Sequence, residues 1–206
     1  MNDDVVSVGA SPLAELLKKR VAIYGEEFLY TSQEPLITFL YAYSLIAQDV
    51  EVLDRLFIDY PFNKQGGSRG KFDIYIDVGV GCYIEIKYIR PIPSGMNLPL
   101  PRHRGTLIND LIRLAYKTDK RSNKYLLLVA SREFITHLIN KPGFPIVNDL
   151  WHGKLRDLIV AETEKRQIRS ENEEFLDKEV ILKRLNYKEA HPLHIVLWKT
   201  IPKTID

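Results

Sequence analysis

The chain of 206 residues has a formal net charge of +2, with 45% hydrophobic and 27% charged residues, which fits one compact, soluble domain with peripheral additions. Its longest apolar run, Pro35–Ala47, is about 13 residues, short of the roughly 20 that a bilayer span needs, and its acidic N-terminus lacks the pattern of a signal peptide. The single cysteine, Cys82, excludes an internal disulfide and the usual Cys-based zinc site, so a reducing, cytoplasmic setting without membrane contact is expected.

In chain order, "SPLAELLKKRVAIYG" predicts a helix capped by Ser11, with Pro12 at its first position and Gly25 closing it. "TSQEPLITFLYAYSLIAQ" predicts a second helix capped by Ser32. Glu34 and Pro35 fall in its first turn, and apolar residues cover nearly all its faces. "VEVLDRLFIDYPF" alternates through Val52, Leu56, Ile58 and Tyr60 and favours a strand, with a helix as the alternative. The Gly-rich loop "NKQGGSRGK" follows, and then "KFDIYIDVGVGCYIEIKYIR" reads as a hairpin of two alternating strands. "PIPSGMNLPLPRHRG", with four prolines, predicts an extended loop. "TLINDLIRLAYK" has helical apolar spacing, and the wholly apolar "KYLLLVAS" (Lys124–Ser131) suits a buried central strand. Beyond it the pattern suggests a helix near Asp149–Lys165, a charged helix near Ser170–Leu185 and a last strand, "LHIVLW". The order helix, strand, strand, strand, helix, strand over about 32–131, with an extension over about 145–206, predicts an α/β domain: a mixed sheet flanked by helices.

The hairpin carries the chemistry. A turn centred on Val80 sets Asp73 opposite Lys87, Tyr75 opposite Glu85 and Asp77 opposite Tyr83, with opposed Cβ atoms about 4.5–5.5 Å apart. Alternation puts Phe72, Ile74, Ile76, Ile84 and Ile86 on a core face, and Asp73, Tyr75, Asp77, Tyr83, Glu85 and Lys87 on the other. Two carboxylates from neighbouring strands suit Mg²⁺, which takes few carboxylates and completes its octahedron with water and substrate phosphate. A lysine on the same face can orient the attacking water or stabilise the transition state. An ordinary cross-strand ion pair is the simpler reading of Asp73 and Lys87. Asp77 rivals Asp73 on that face; Asp73 is preferred because it lies opposite Lys87 and away from the turn.

"FDIYI" followed by "YIEIKY" resembles the PD-(D/E)XK nuclease superfamily, the restriction-endonuclease-like fold, whose core is the αβββαβ series expected for about 32–131. The resemblance implies a metal-dependent endodeoxyribonuclease. Asp73 takes the place of the motif aspartate, Glu85 the second acidic ligand, Lys87 the catalytic lysine, and the Ile86 carbonyl an additional ligand of Mg²⁺ or Mn²⁺. Glu34 is similar in placement to a glutamate that many members draw from the first core helix; a helix-dipole interaction is its other reading. Phe72 stands where the motif has proline. The small basic form invites comparison with archaeal Holliday-junction resolvases.

The charge distribution agrees with a polyanion partner. From Lys87 to Arg121 there are eight Lys or Arg residues against Asp110 and Asp119, and Lys64, Arg69 and Lys71 precede them without an acid. Lys64, Arg69, Lys71, Arg102 and Arg104 are therefore expected to grip DNA, duplex or branched, through its phosphates. Arg113, Lys117, Lys120 and Arg121 read better as a solvated helical face. The "DLIRLAY" helix and Trp151 offer a contact for a homodimer. A catalytically inactive DNA-binding protein of the same fold, and a structural protein with an acidic partner-binding half, are the alternatives.

Overall fold

The computed structural model of the chain describes residues 3–63, 69–91, 99–140, 144–146 and 148–203. Three helices come first: α1 (Asp3–Tyr24), α2 (Glu27–Thr31) and α3 (Glu34–Gln48). After a 3-10 turn (Val50–Arg55) come β1 (Leu56–Asn63), β2 (Arg69–Ile76), β3 (Cys82–Ile89), α4 (Leu100–Tyr116), β4 (Asn123–Ser131) and α5 (Arg132–Asn140). The rest is β5 (Leu150–Lys154), a short α6 (Glu162–Lys165), β6 (Glu179–Ala190) and β7 (Leu193–Pro202). Among the described residues, no helix is long and apolar enough to cross a membrane.

All seven strands form one mixed sheet in the order β1-β2-β3-β4-β7-β6-β5, and only β3 and β4 run parallel. Helix α4 is the connection a parallel pair requires. The apolar run of β4 follows from burial on both faces. Tyr125, Leu127 and Val129 face one core with α1 and α3, while Leu126, Leu128 and Ala130 face a second core with α4 and α5.

The local outcomes differ from the sequence pattern in several places. Helix α1 starts well before Ser11 and carries Pro12 in its interior, so Ser11 is no cap. Ser32 closes α2, and Gln33 is the N-cap of α3. Residues 50–55 form a 3-10 turn, and the strand begins only at Leu56. Helix α4 begins at Leu100, so Arg102, His103 and Arg104 stand in its first turns and not in a loop. The C-terminal half holds the largest correction. The expected charged helix near 170–185 is a 3-10 turn (Ser170–Phe175) running into the twelve-residue strand β6. The segment 149–165 contributes a strand, β5, a 3-10 turn (Leu155–Leu158) and the four-residue α6.

Helix α4 buries Leu107, Ile108, Leu111, Ile112 and Leu114 in the second core, against which Trp151 also packs. That apolar face is consumed inside the chain, so the expected dimer contact through "DLIRLAY" and Trp151 is corrected.

Candidate active site

The β2–β3 hairpin pairs Ile74 with Ile84, Tyr75 with Tyr83 and Ile76 with Cys82. The turn therefore centres on Gly79 and not on Val80, and the register differs by two residues from the expected one. A shift of two leaves each strand's inside and outside unchanged. Gly79 and Gly81 take positive φ (57° and 78°), which a turn of this kind asks of glycine.

At Asp73 the strand pattern breaks. The ladder between β2 and β3 stops at Ile74–Ile84, and Asp73 Oδ2 accepts the Ile86 N–H at 2.6 Å. Opposite it in β1, Asp59 sits in the left-handed region at φ 56°, where few non-glycine residues are found. The kink turns the Tyr60–Phe72 pair over, and Phe72 packs in the second core against Tyr83 instead of beside Ile74. The expected single face Phe72–Ile74–Ile76 is thus interrupted at the position that frees the Asp73 carboxylate.

Around it the structure gathers an alternating series of charges. Glu34, first residue of α3, meets Lys87 of β3 (Oε2 to Nζ, 3.3 Å) and accepts the Tyr88 N–H at 3.1 Å. Lys87 Nζ also lies 3.2 Å from Asp110 of α4. Asp110 holds Arg113 at 3.1 Å, and Arg113 in turn pairs with Glu85 of β3. Asp73 lies within the field of Glu34, Arg113 and Asp110. Helix α3 therefore does more with Glu34 than satisfy its dipole: the carboxylate is bound to the lysine strand. Asp77 stays exposed at the hairpin tip, its nearest side-chain partner being the Tyr75 hydroxyl at 3.5 Å; the observed register sets Asp73 level with Glu85 and not with Lys87, which corrects that ground for preferring it.

The electrostatics follow from crowding. Burial pushes the Asp73 carboxyl up to about 6; the Ile86 N–H opposes this, and the Glu34 carboxylate adds to it. Burial pulls the Lys87 ammonium down, but Asp110 and Glu34 outweigh it and hold it well above its ordinary value. Four carboxylates (Glu34, Asp73, Glu85, Asp110) face Lys87 and Arg113, and Arg169 also acts on Asp110 and Arg113.

Among the described residues, no cluster of three or more His, Cys, Asp or Glu side chains is grouped to hold a metal ion. A hard divalent cation needs fewer, one or two carboxylates with water and substrate oxygens. One feature fits that need: Glu85 Oε2 is buried without a hydrogen-bond partner among the described residues. A cavity of about 180 Å³ opens beside Asp73, walled by Glu34, Pro35, Phe39, Ile58 and Asp59.

The expected phosphate contacts divide. Arg104 is wholly buried; it pairs with Glu164 at 3.4 Å and donates from Nε and Nη2 to the Leu158 carbonyl, so it is corrected from a DNA contact to an internal tie. Arg102 is exposed on the first turn of α4. Lys71 is exposed and pairs with Asp59 at 3.1 Å. Lys64 and the Arg69 side chain lie outside the described residues. Arg113 is no solvated residue, and with Asp110 it was not legible as part of a site. The available signal is that the two, one turn apart, border the apolar stripe of "TLINDLIRLAY".

No protein-family model, curated protein or solved structure matches the chain.

Proposed function

We propose that the chain is a Mg²⁺-dependent endodeoxyribonuclease whose α3-β1-β2-β3-α4-β4 series is a restriction-endonuclease-like core. The observation that supports this reading is the run of contacts Glu34–Lys87–Asp110–Arg113–Glu85 across α3, β3 and α4, with the Asp73 carboxylate bonded to the β3 backbone at Ile86. Asp73 and Glu85 would hold the cation, with the Ile86 carbonyl as a further oxygen ligand, and Mn²⁺ would serve in its place. Bound there, a divalent ion makes its water more acidic and offsets charge developing at phosphorus.

The protein's own groups do the rest. Lys87 is held protonated by Asp110 and Glu34, so it acts as a charge and hydrogen-bond donor to the reacting phosphate and its water, and not as a base. Glu34 fixes the ammonium from the α3 side. In-line attack by water releases the 3′-oxygen and leaves a 5′-phosphate. Lys71 and Arg102, with Lys64 and Arg69, would track the backbone of a duplex or branched substrate.

The test is cleavage of supercoiled plasmid and of a four-way junction with Mg²⁺ or Mn²⁺, comparing the parent with Lys87→Ala. The expected outcome is metal-dependent cutting that the variant loses by about 100-fold or more. Undiminished cutting by the variant would remove Lys87 from the mechanism. A DNA-binding protein without chemistry is the second reading, favoured by Glu85 being already neutralised by Arg113. Cation-independent binding with no cutting would select it.

A further inference from the structure

Asp110 stands in the middle of the charge series, on α4, outside the two strands that carry the resemblance. Its carboxylate oxygens serve different cations: Oδ2 lies 3.2 Å from Lys87 Nζ, and Oδ1 lies 3.1 Å from Arg113 Nη2. Lys87 therefore has two acidic partners, Glu34 at 3.3 Å and Asp110, and the two are not equivalent. The Glu34 side chain is 36% exposed and walls the 180 Å³ cavity beside Asp73. The Asp110 side chain is only 12% exposed. Its helix is anchored by Leu107, Ile108, Leu111 and Ile112, all wholly buried in the second core. Against the burial that opposes its charge, the Lys87 ammonium leans on Asp110 first and on Glu34 second. An acid that borders an open cavity is within reach of whatever enters it. An acid enclosed between two cations on a rigid helix cannot leave without weakening both pairs.

We propose that Asp110 is the positioning residue for Lys87: it is the fixed anchor of the ammonium, and Glu34 is the partner that exchanges when cation and substrate enter. Asp110 touches neither the metal nor the phosphate and acts through Lys87 alone. Arg113, bound to its other oxygen, keeps the carboxylate turned toward the lysine. The inference rests on the nuclease reading of the site and adds to it a residue of α4 that the hairpin motif does not contain.

Plasmid cleavage by the parent, Lys87→Ala, Asp110→Asn and the double variant forms a cycle that tests this. Asp110→Asn keeps the shape and removes the charge, and is expected to lower kcat about 30-fold with KM within about twofold of the parent. On the Lys87→Ala background the same change should cost less than about twofold, because the group it positions is already gone. Equal losses on both backgrounds, or no loss in the single variant, would overturn the proposal. Asp110→Glu restores the charge and should recover kcat to within about fivefold of the parent, which also guards against a folding defect in Asp110→Asn. A loss in Asp110→Glu as large as in Asp110→Asn, with an unchanged melting temperature, would count against the anchor. Mn²⁺ binding, followed by the electron-spin signal of the free ion without nucleic acid, should stay within about threefold of the parent in Asp110→Asn. A loss of about tenfold or more would place Asp110 in the metal site itself and overturn the positioning role. A parent protein that cuts nothing with either cation defeats the nuclease reading and the inference with it, and is told apart by appearing before any substitution is made.

Discussion

Asp73 is the residue at which fold and chemistry are in conflict. Burial, with a smaller push from the Glu34 and Asp110 charges, makes its carboxyl keep its proton up to about pH 6, whereas an ordinary aspartate loses it near 3.9. The folded chain therefore binds that proton more tightly than the unfolded one. The associated stability is fully present below about pH 4 and is lost as pH rises through 6. Asp73→Asn can still accept the Ile86 N–H and carries no charge, so it should melt at a higher temperature than the parent at pH 8, with the gap closing by pH 4. Thermal denaturation at pH 4, 6 and 8 checks this, and a gap independent of pH would show that Asp73 is not strained by its neighbours. The same substitution should abolish Mn²⁺ binding. Alternation put Asp73, Glu85 and Lys87, with Asp77, on one side of the hairpin, because strand side chains two apart share a side; their separate roles rest on the resemblance of "FDIYI" and "YIEIKY". Arg104 was misread for the opposite reason. Its counter-charge, Glu164, and its carbonyl partner at Leu158 lie more than fifty residues away, and nothing local distinguishes a buried arginine from a solvated one.

Among the elements, the β1–β2 ribbon shows how backbone geometry sets up the site. Asp59, at φ 56°, bends β1 opposite the point where Asp73 leaves the ladder. Its exposed pair with Lys71 adds little. Asp59→Gly should therefore be nearly neutral, whereas Asp59→Val, β-branched in the left-handed region, should cost about 1–2 kcal/mol. The variant with valine should also bind Mn²⁺ more weakly, because relief of the strain straightens the ribbon and draws Asp73 back. Urea denaturation and metal titration of the two variants separate backbone strain from loss of the aspartate charge, which both share. Elements with a strong local signal were readable: α3 from its apolar surface, β3 from alternation, β4 from its unbroken apolar run. Strand β6 was not. "EVILKRLNYKEA" has charges at helical spacing, and its strand form rests on a hairpin with β7 turning at His191–Pro192, ten pairings whose far end joins Val180 to Pro202, and on β5 at its other edge.

For the whole molecule, the sheet order makes the C-terminal residues integral to the fold. The sequence suggests an extension appended to a core ending near Ser131. Yet β7 pairs with β4 along seven positions, and Trp198 is fully buried against Phe144, its indole N–H donating to the Pro145 carbonyl. A chain truncated after Asn140 would bare the edge of β4 and the second core. It should be insoluble or lack the near-ultraviolet dichroism of packed aromatics, which circular dichroism of the truncated form will show. Soluble, cooperatively unfolding truncated protein would mean that the αβββαβ series is self-sufficient.

Sheet order also bears on synthesis. The ribosome delivers β4 long before β7, the strand that belongs at its side, and about sixty residues must emerge in between. Until then a newly made chain presents an apolar ribbon with an open rim. Glu34, Asp73, Glu85 and Lys87 all lie N-terminal to it and emerge before the strand that covers that rim. The sheet is complete only when that last ribbon enters between β4 and β6.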